Sequence, residues 1–102
     1  MILFFSKQAE GHLDDIYNFV KIKNENAAVN IYNEILDEIE RLKSFPEIAP
    51  IEPNLIDFPE TFRALVVRKT YKVIYYIKNN KICISAIWDC RQNSNKLKNK
   101  IK

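Results

Sequence analysis

The stretch that decides the fold is residues 61–92, TFRALVVRKTYKVIYYIKNNKICISAIWDCRQ. It is dense in Val, Ile and Tyr, residues that suit a pleated and half-buried surface. Turn-forming residues cut it into three strands. Phe62 to Val67 forms the first, and Arg68-Lys69-Thr70 reverses the chain. Tyr71 to Lys78 forms the second. Asn79-Asn80 follows, and Asn tolerates the positive φ that a tight hairpin demands. Ile82 to Trp88 forms the third. Connections this short predict a three-stranded antiparallel meander. Strand alternation sends Tyr75 and Tyr76 to opposite faces.

Upstream, the period changes from two to about 3.6. Leu13, Ile16, Tyr17 and Val20 recur at helical spacing, with Ser6 placed to cap the start and Glu10 near it to suit the helix dipole. Asn24 is placed to cap a second helix, whose apolar stripe runs through Ala27, Ala28, Ile31, Tyr32, Ile35, Leu36, Ile39 and Leu42. Phe45-Pro46 ends it, because the residue before proline is pushed out of the α region. Two helices joined by so few residues form an antiparallel hairpin. Ahead of them Ile2 to Phe5 reads as a short strand. All four prolines, Pro46, Pro50, Pro53 and Pro59, mark a stiff connecting loop. The expectation is one α+β domain over residues 1–102: a strand, a helical hairpin, then the meander. Leu97 and Ile101 are compatible with a short C-terminal helix, and a frayed basic tail fits the same residues.

Charge divides the chain as sharply as structure does. Residues 1–60 carry five Lys/Arg and twelve Asp/Glu, a net of −7, whereas residues 61–102 carry eleven Lys/Arg and only Asp89, a net of +10. A positive field on one side of a small molecule attracts a polyanion or an acidic protein. The single glycine excludes the Gly-rich phosphate loops. Cys83 and Cys90 are seven apart without a paired His, so neither zinc nor a disulfide is expected. No cofactor, metal or membrane contact is expected. The N-terminus lacks the make-up of a signal peptide, so a cytoplasmic location is expected.

Three groups could carry chemistry. The basic set is Arg63, Arg68, Lys69, Lys72 and Arg91, whose guanidinium and ammonium groups suit phosphate or carboxylate. The aromatic set is Phe62, Tyr71, Tyr75, Tyr76 and Trp88; alternation sends about half of it into the core, and Trp88 is expected to cover the core edge. Asp89 is expected to pair with a neighbouring cation, which would lower its pKa and make it a weak base. His12 is expected on the flank of the first helix, outside any catalytic set.

The order of "RLKSFP" (41–46), "FRAL" (62–65), "YKVIYYI" (71–77) and "ICISAIWDCRQN" (82–93) resembles the RelE/ParE toxin superfamily of type II toxin–antitoxin systems, and "DCRQNSNKL" (89–97) is similar to the tail of ParE-like members. The resemblance covers nearly the whole chain. It implies an antiparallel sheet wrapped by two helices and neutralisation by a cognate antitoxin, with operator DNA contacted only through the antitoxin. RelE-like members cut mRNA on the ribosome with basic sheet residues and a Tyr, His or Glu for proton transfer. ParE-like members keep the fold and act on DNA gyrase. Lys72 falls where RelE-like toxins carry an Arg, and Arg63 and Arg91 fall near further basic positions, so these three are the catalytic candidates. Gln92 to Lys102 contains no Tyr, His, Phe or Trp, which departs from the nuclease pattern and points to a ParE-like binder. The alternatives are a metal-independent endoribonuclease using Glu52 or Glu60, and an inactive relative that only binds antitoxin. Arg63, Arg68, Lys69, Lys72, Trp88, Asp89 and Arg91 are the expected contacts to target or antitoxin. If Arg63, Lys72 and Arg91 form one exposed patch, reversing all three charges weakens antitoxin binding and leaves folding intact.

Overall fold

The computed structural model describes residues 1–91 and Ile101. The elements are β1 (Ile2–Phe5), α1 (Lys7–Lys21), α2 (Glu25–Arg41), a 3-10 turn (Pro53–Leu55), β2 (Arg63–Val67), β3 (Tyr71–Lys78) and β4 (Lys81–Asp89). This is the expected α+β order. The short C-terminal helix falls on residues outside those described, apart from Ile101.

Both helix starts are capped as the sequence indicates. Ser6 Oγ accepts from the Ala9 N–H at 3.0 Å and Asn24 Oδ1 accepts from the Ala27 N–H at 3.0 Å, each satisfying an amide that the helix itself cannot. α2 ends earlier than Phe45-Pro46 implies. It closes at Arg41 with Leu42 as C-cap, and the chain winds on in turns that include a Phe45 N–H to Arg41 carbonyl bond of 3.1 Å. The proline bars the α conformation only at the residue before it, so the last turn is free to loosen.

The sheet order is β1-β4-β3-β2, with β1 parallel to β4 and the other two pairings antiparallel. The helices cover one face. There Leu13, Ile35, Ile39 and Leu42 pack on Val67, Val73, Tyr75, Ile82, Ile84 and Ile87. Tyr17 and Tyr32 meet edge to face at 5.7 Å, locking α1 to α2. A smaller cluster on the opposite face joins Leu55, Phe62, Ala64, Ile74, Ala86 and Trp88, with Ile101 packed against it.

A bulge switches which residues of β4 face each cluster. Ile74 pairs with Ala86 and Tyr75 with Ile84, so Ser85 is an extra residue in β4. The extra residue reverses the alternation. Ile82, Ile84 and Ile87 face the helices, while Ala86 and Trp88 face away.

Both hairpins use left-handed residues. Asn79 and Asn80 have φ of 52° and 60°, as a two-residue type I′ turn requires. At the other turn Arg68 and Lys69 have φ of 56° and 59°. A long side chain in this region costs about 1 kcal/mol more than Gly, and Asn is tolerated better because its short side chain bonds locally.

The Pro-rich loop lies along the outer edge of β2. Glu52 N–H donates to the Phe62 carbonyl at 2.8 Å and Ala64 N–H to the Pro50 carbonyl at 3.0 Å. These bonds occupy part of an edge that would otherwise invite another strand.

Candidate functional site

The expected site residues fall into three places. Arg63 lies in the row Arg63–Tyr75–Ile84 on the helix-covered face. Its guanidinium donates to the Ala49 carbonyl at 2.8 Å and reaches the Glu47 carboxylate at 3.4 Å. Its neighbour Tyr75 donates its hydroxyl to the Pro46 carbonyl at 2.7 Å. Burial pushes the Tyr75 phenol above its ordinary pKa, so it stays a donor. Together the two side chains clamp the start of the Pro-rich loop.

Lys72 lies on the other face, in the row Val66–Lys72–Trp88. Three residue steps along β2 separate this row from that of Arg63, about 10 Å along the strand. Lys72 Nζ donates to Glu52 Oε1 at 2.6 Å. Glu52 is only 1% exposed and its other oxygen accepts from the backbone and side-chain N–H groups of Asn54 at 2.9 and 3.0 Å. Burial pushes the Glu52 carboxyl up, but the Lys72 ammonium and the Asn54 donors outweigh it and hold the group below its ordinary value. A buried, ion-paired carboxylate of low pKa is a poor general base.

Two expectations are corrected here. Arg63, Lys72 and Arg91 do not form one patch, because Arg63 and Lys72 occupy opposite faces. Nor is Lys72 a free surface charge: reversing it would set a new anion against the buried Glu52 carboxylate. The triple charge reversal is therefore expected to unfold the protein rather than leave folding intact.

The third place is the end of the sheet where the β2–β3 turn meets the end of β4. Val67 pairs with Tyr71 and Tyr71 with Asp89, which brings Arg68, Lys69, Asp89 and Arg91 to one end. Arg91 grips Asp89 with a fork of 2.9 Å from Nε and 2.7 Å from Nη2. That guanidinium holds the Asp89 carboxyl below its ordinary pKa, against a smaller opposing effect of burial. Arg68 Nε donates to Glu34 of α2 at 2.9 Å. Lys69 makes no ion pair among the described residues. Trp88 is 4% exposed and belongs to the smaller core cluster, so its ring is not offered to a partner. Its indole Nε1 has no hydrogen-bond partner among the described residues.

Beside this end lies an open groove of about 480 Å³ between α1 and the last residues of β4. His12, Asp15, Phe19, Tyr71, Ile87 and Arg91 line it. His12 is more than the flank residue expected from the sequence. Its Nδ1 accepts from the Ile87 N–H at 3.2 Å. β1 accompanies β4 only as far as Ile84. Beyond that point Ser6 takes over, with its N–H on the Ile84 carbonyl at 3.0 Å and its hydroxyl on the Ser85 carbonyl at 3.1 Å. His12 takes the next group. The sequence carries no signal for this role, because the contact spans 75 positions.

Among the described residues no group of three or more His, Cys, Asp and Glu is placed to hold a metal. Both cysteines are free thiols, and no described helix is long and apolar enough to cross a membrane.

Comparison with known proteins agrees with the architecture. A structure described as the chromosomal ParDE TA system from P. aeruginosa superposes with a TM-score of 0.72, covering 87% of this chain and 95% of that one at 21% identity, a likeness of fold. No curated protein is similar enough in sequence to add to this comparison. The family described as ParE toxin of type II toxin–antitoxin system, ParDE, matches residues 3–94. Strand, capped helical hairpin and bulged meander thus occur together in a chain that belongs to the ParE toxin family.

Proposed function

We propose that this ParE-family toxin arrests growth by binding a protein target, DNA gyrase, without catalysis of its own, and that a cognate antitoxin neutralises it. One observation carries the reading. The three cations that would serve a cleaved phosphate are dispersed, and each is paired with a carboxylate of the same chain: Arg63 with the exposed Glu47, Lys72 with the buried Glu52 and Arg91 with Asp89. Phosphoryl chemistry needs such groups converging on one reacting centre. Here they brace the loop, the sheet and the end of β4. The carboxylate best placed in the Pro-rich loop, Glu52, is consumed by the same bracing.

The test is supercoiling of relaxed plasmid by purified gyrase in the presence of excess toxin. Inhibition that the antitoxin relieves is the expected result. Full supercoiling at high toxin excess, together with cleaved message in programmed ribosomes, would replace this reading with the endoribonuclease.

A further inference from the structure

The chain builds two tight turns with left-handed central residues and fills them differently. At 79–80 it uses Asn-Asn, a sequence suited to that backbone. At 68–69 it uses Arg-Lys, whose side chains gain nothing from a left-handed conformation. The turn itself does not need them: Thr70 N–H bonds to the Val67 carbonyl at 3.2 Å and Cys90 N–H to the Thr70 carbonyl at 2.7 Å, both backbone contacts. Strained positions of this kind persist where a side chain is wanted for another purpose.

The surroundings indicate the purpose. Arg68, Lys69 and Arg91 share this end of the sheet with two carboxylates, Glu34 and Asp89. Of these three cations, Lys69 is the one that makes no ion pair among the described residues. A surface that grips nucleic acid neutralises several phosphates at once, so a single uncompensated cation fits a carboxylate on a protein better than a polynucleotide. Phe19, 60% exposed, lines the adjoining groove together with Arg91 and supplies apolar area beside that guanidinium.

We propose that the Arg68–Lys69 tip is a docking element, kept at a cost in stability because Lys69 contacts a carboxylate-bearing surface of the target protein, with Arg68 held ready beside it by Glu34. The proposal rests on the reading that the toxin acts by binding a protein.

Lys69→Asn and Lys69→Gly test it, since both relieve the backbone and leave the Arg68–Glu34 pair alone. Each is expected to raise Tm by roughly 2–8 °C and to weaken the toxin about tenfold. The loss is read as the concentration that half-inhibits gyrase and as growth arrest on induction without antitoxin. Asn80→Gly, in the other turn, is the control and is expected to keep full toxicity. A stabilised Lys69 variant with undiminished growth arrest would overturn the proposal. So would Lys69 variants no more stable than wild type, because the strain argument would then be false. If wild-type protein fails to inhibit gyrase, that target is refuted, while the growth-arrest comparison still decides the role of the tip. Weaker binding of the Lys69 variants to a single-stranded oligonucleotide, with gyrase inhibition unchanged, would assign the tip to nucleic acid and also overturn it.

Discussion

Replacing Lys72 by Met should expose how much the far side of the sheet depends on one ion pair. The ammonium sits 2.6 Å from Glu52, whose side chain is 1% exposed, while the lysine side chain retains 26% exposure. Methionine keeps the stem and removes the charge. Removing one partner of a buried pair typically costs about 3–5 kcal/mol, because the other charge stays buried. Two features reduce this. The Asn54 donors remain on Glu52, and water can enter beside a position that is a quarter exposed. A cost of about 2–4 kcal/mol follows, set against about 5–15 kcal/mol of total stability for a domain of this kind. Tm should fall by roughly 10–25 °C.

The pH dependence identifies the cause. In the wild type Glu52 is held below its ordinary value of 4.5. Its contribution is present above that value and is lost as pH falls through the folded pKa. Without Lys72, only the Asn54 donors oppose burial, and the folded pKa rises. The variant is then penalised at neutral pH and relieved as acid protonates Glu52, so the gap between the two proteins narrows from pH 7 towards pH 4. Lys72→Met/Glu52→Gln should recover part of the loss at pH 7. Urea melts at both pH values measure all of this. A Lys72→Met variant within about 0.5 kcal/mol of wild type, inside the range of ordinary surface substitutions, would refute the reasoning, as would a deficit unchanged between the two pH values.

Other substitutions report on the remaining braces. His12→Leu leaves the Ile87 N–H without its acceptor and should cost about 1–3 kcal/mol in denaturant melts, with faster exchange of the Ile87 amide. Tyr75→Phe removes the bond to the Pro46 carbonyl; a loss of about 1 kcal/mol and quicker proteolytic nicking of residues 46–59 are expected. Ser6→Ala removes both the α1 cap and the contact to Ser85, so about 1–2 kcal/mol should be lost, visible as a lower urea midpoint at unchanged slope.

The elements that the sequence specifies are those whose causes lie within a few residues. Apolar spacing along 13–20 and 27–42 fixes both helices, Ser6 and Asn24 fix where they start, and Asn79-Asn80 fixes a turn. The strand limits follow to within a residue: β2 begins at Arg63 rather than Phe62, and β4 runs from Lys81 to Asp89 rather than from Ile82 to Trp88. The local pairing of Asp89 with a cation two positions on is legible for the same reason. Family membership is legible too, because the order of these local signals is shared along the chain.

What a charged side chain faces is a different kind of fact. A strand pattern tells that Arg63 and Lys72 alternate with their neighbours, but not which face the helices will cover. The bulge at Ser85, which sets the facing of Ala86, Ile87 and Trp88, leaves no mark in the sequence because Ser serves equally well in a regular strand. The partners of Arg63, Lys72, Arg68 and His12 lie 16, 20, 34 and 75 positions away. Only chain closure brings them within reach. The positive excess of residues 61–102 was therefore a property of the sequence, whereas its division among the described residues into clamps, a buried pair and unpaired lysines, Lys69 at a strained turn among them, was decided by the tertiary structure, since Coulomb and hydrogen-bond energies depend on distance in space and not along the chain.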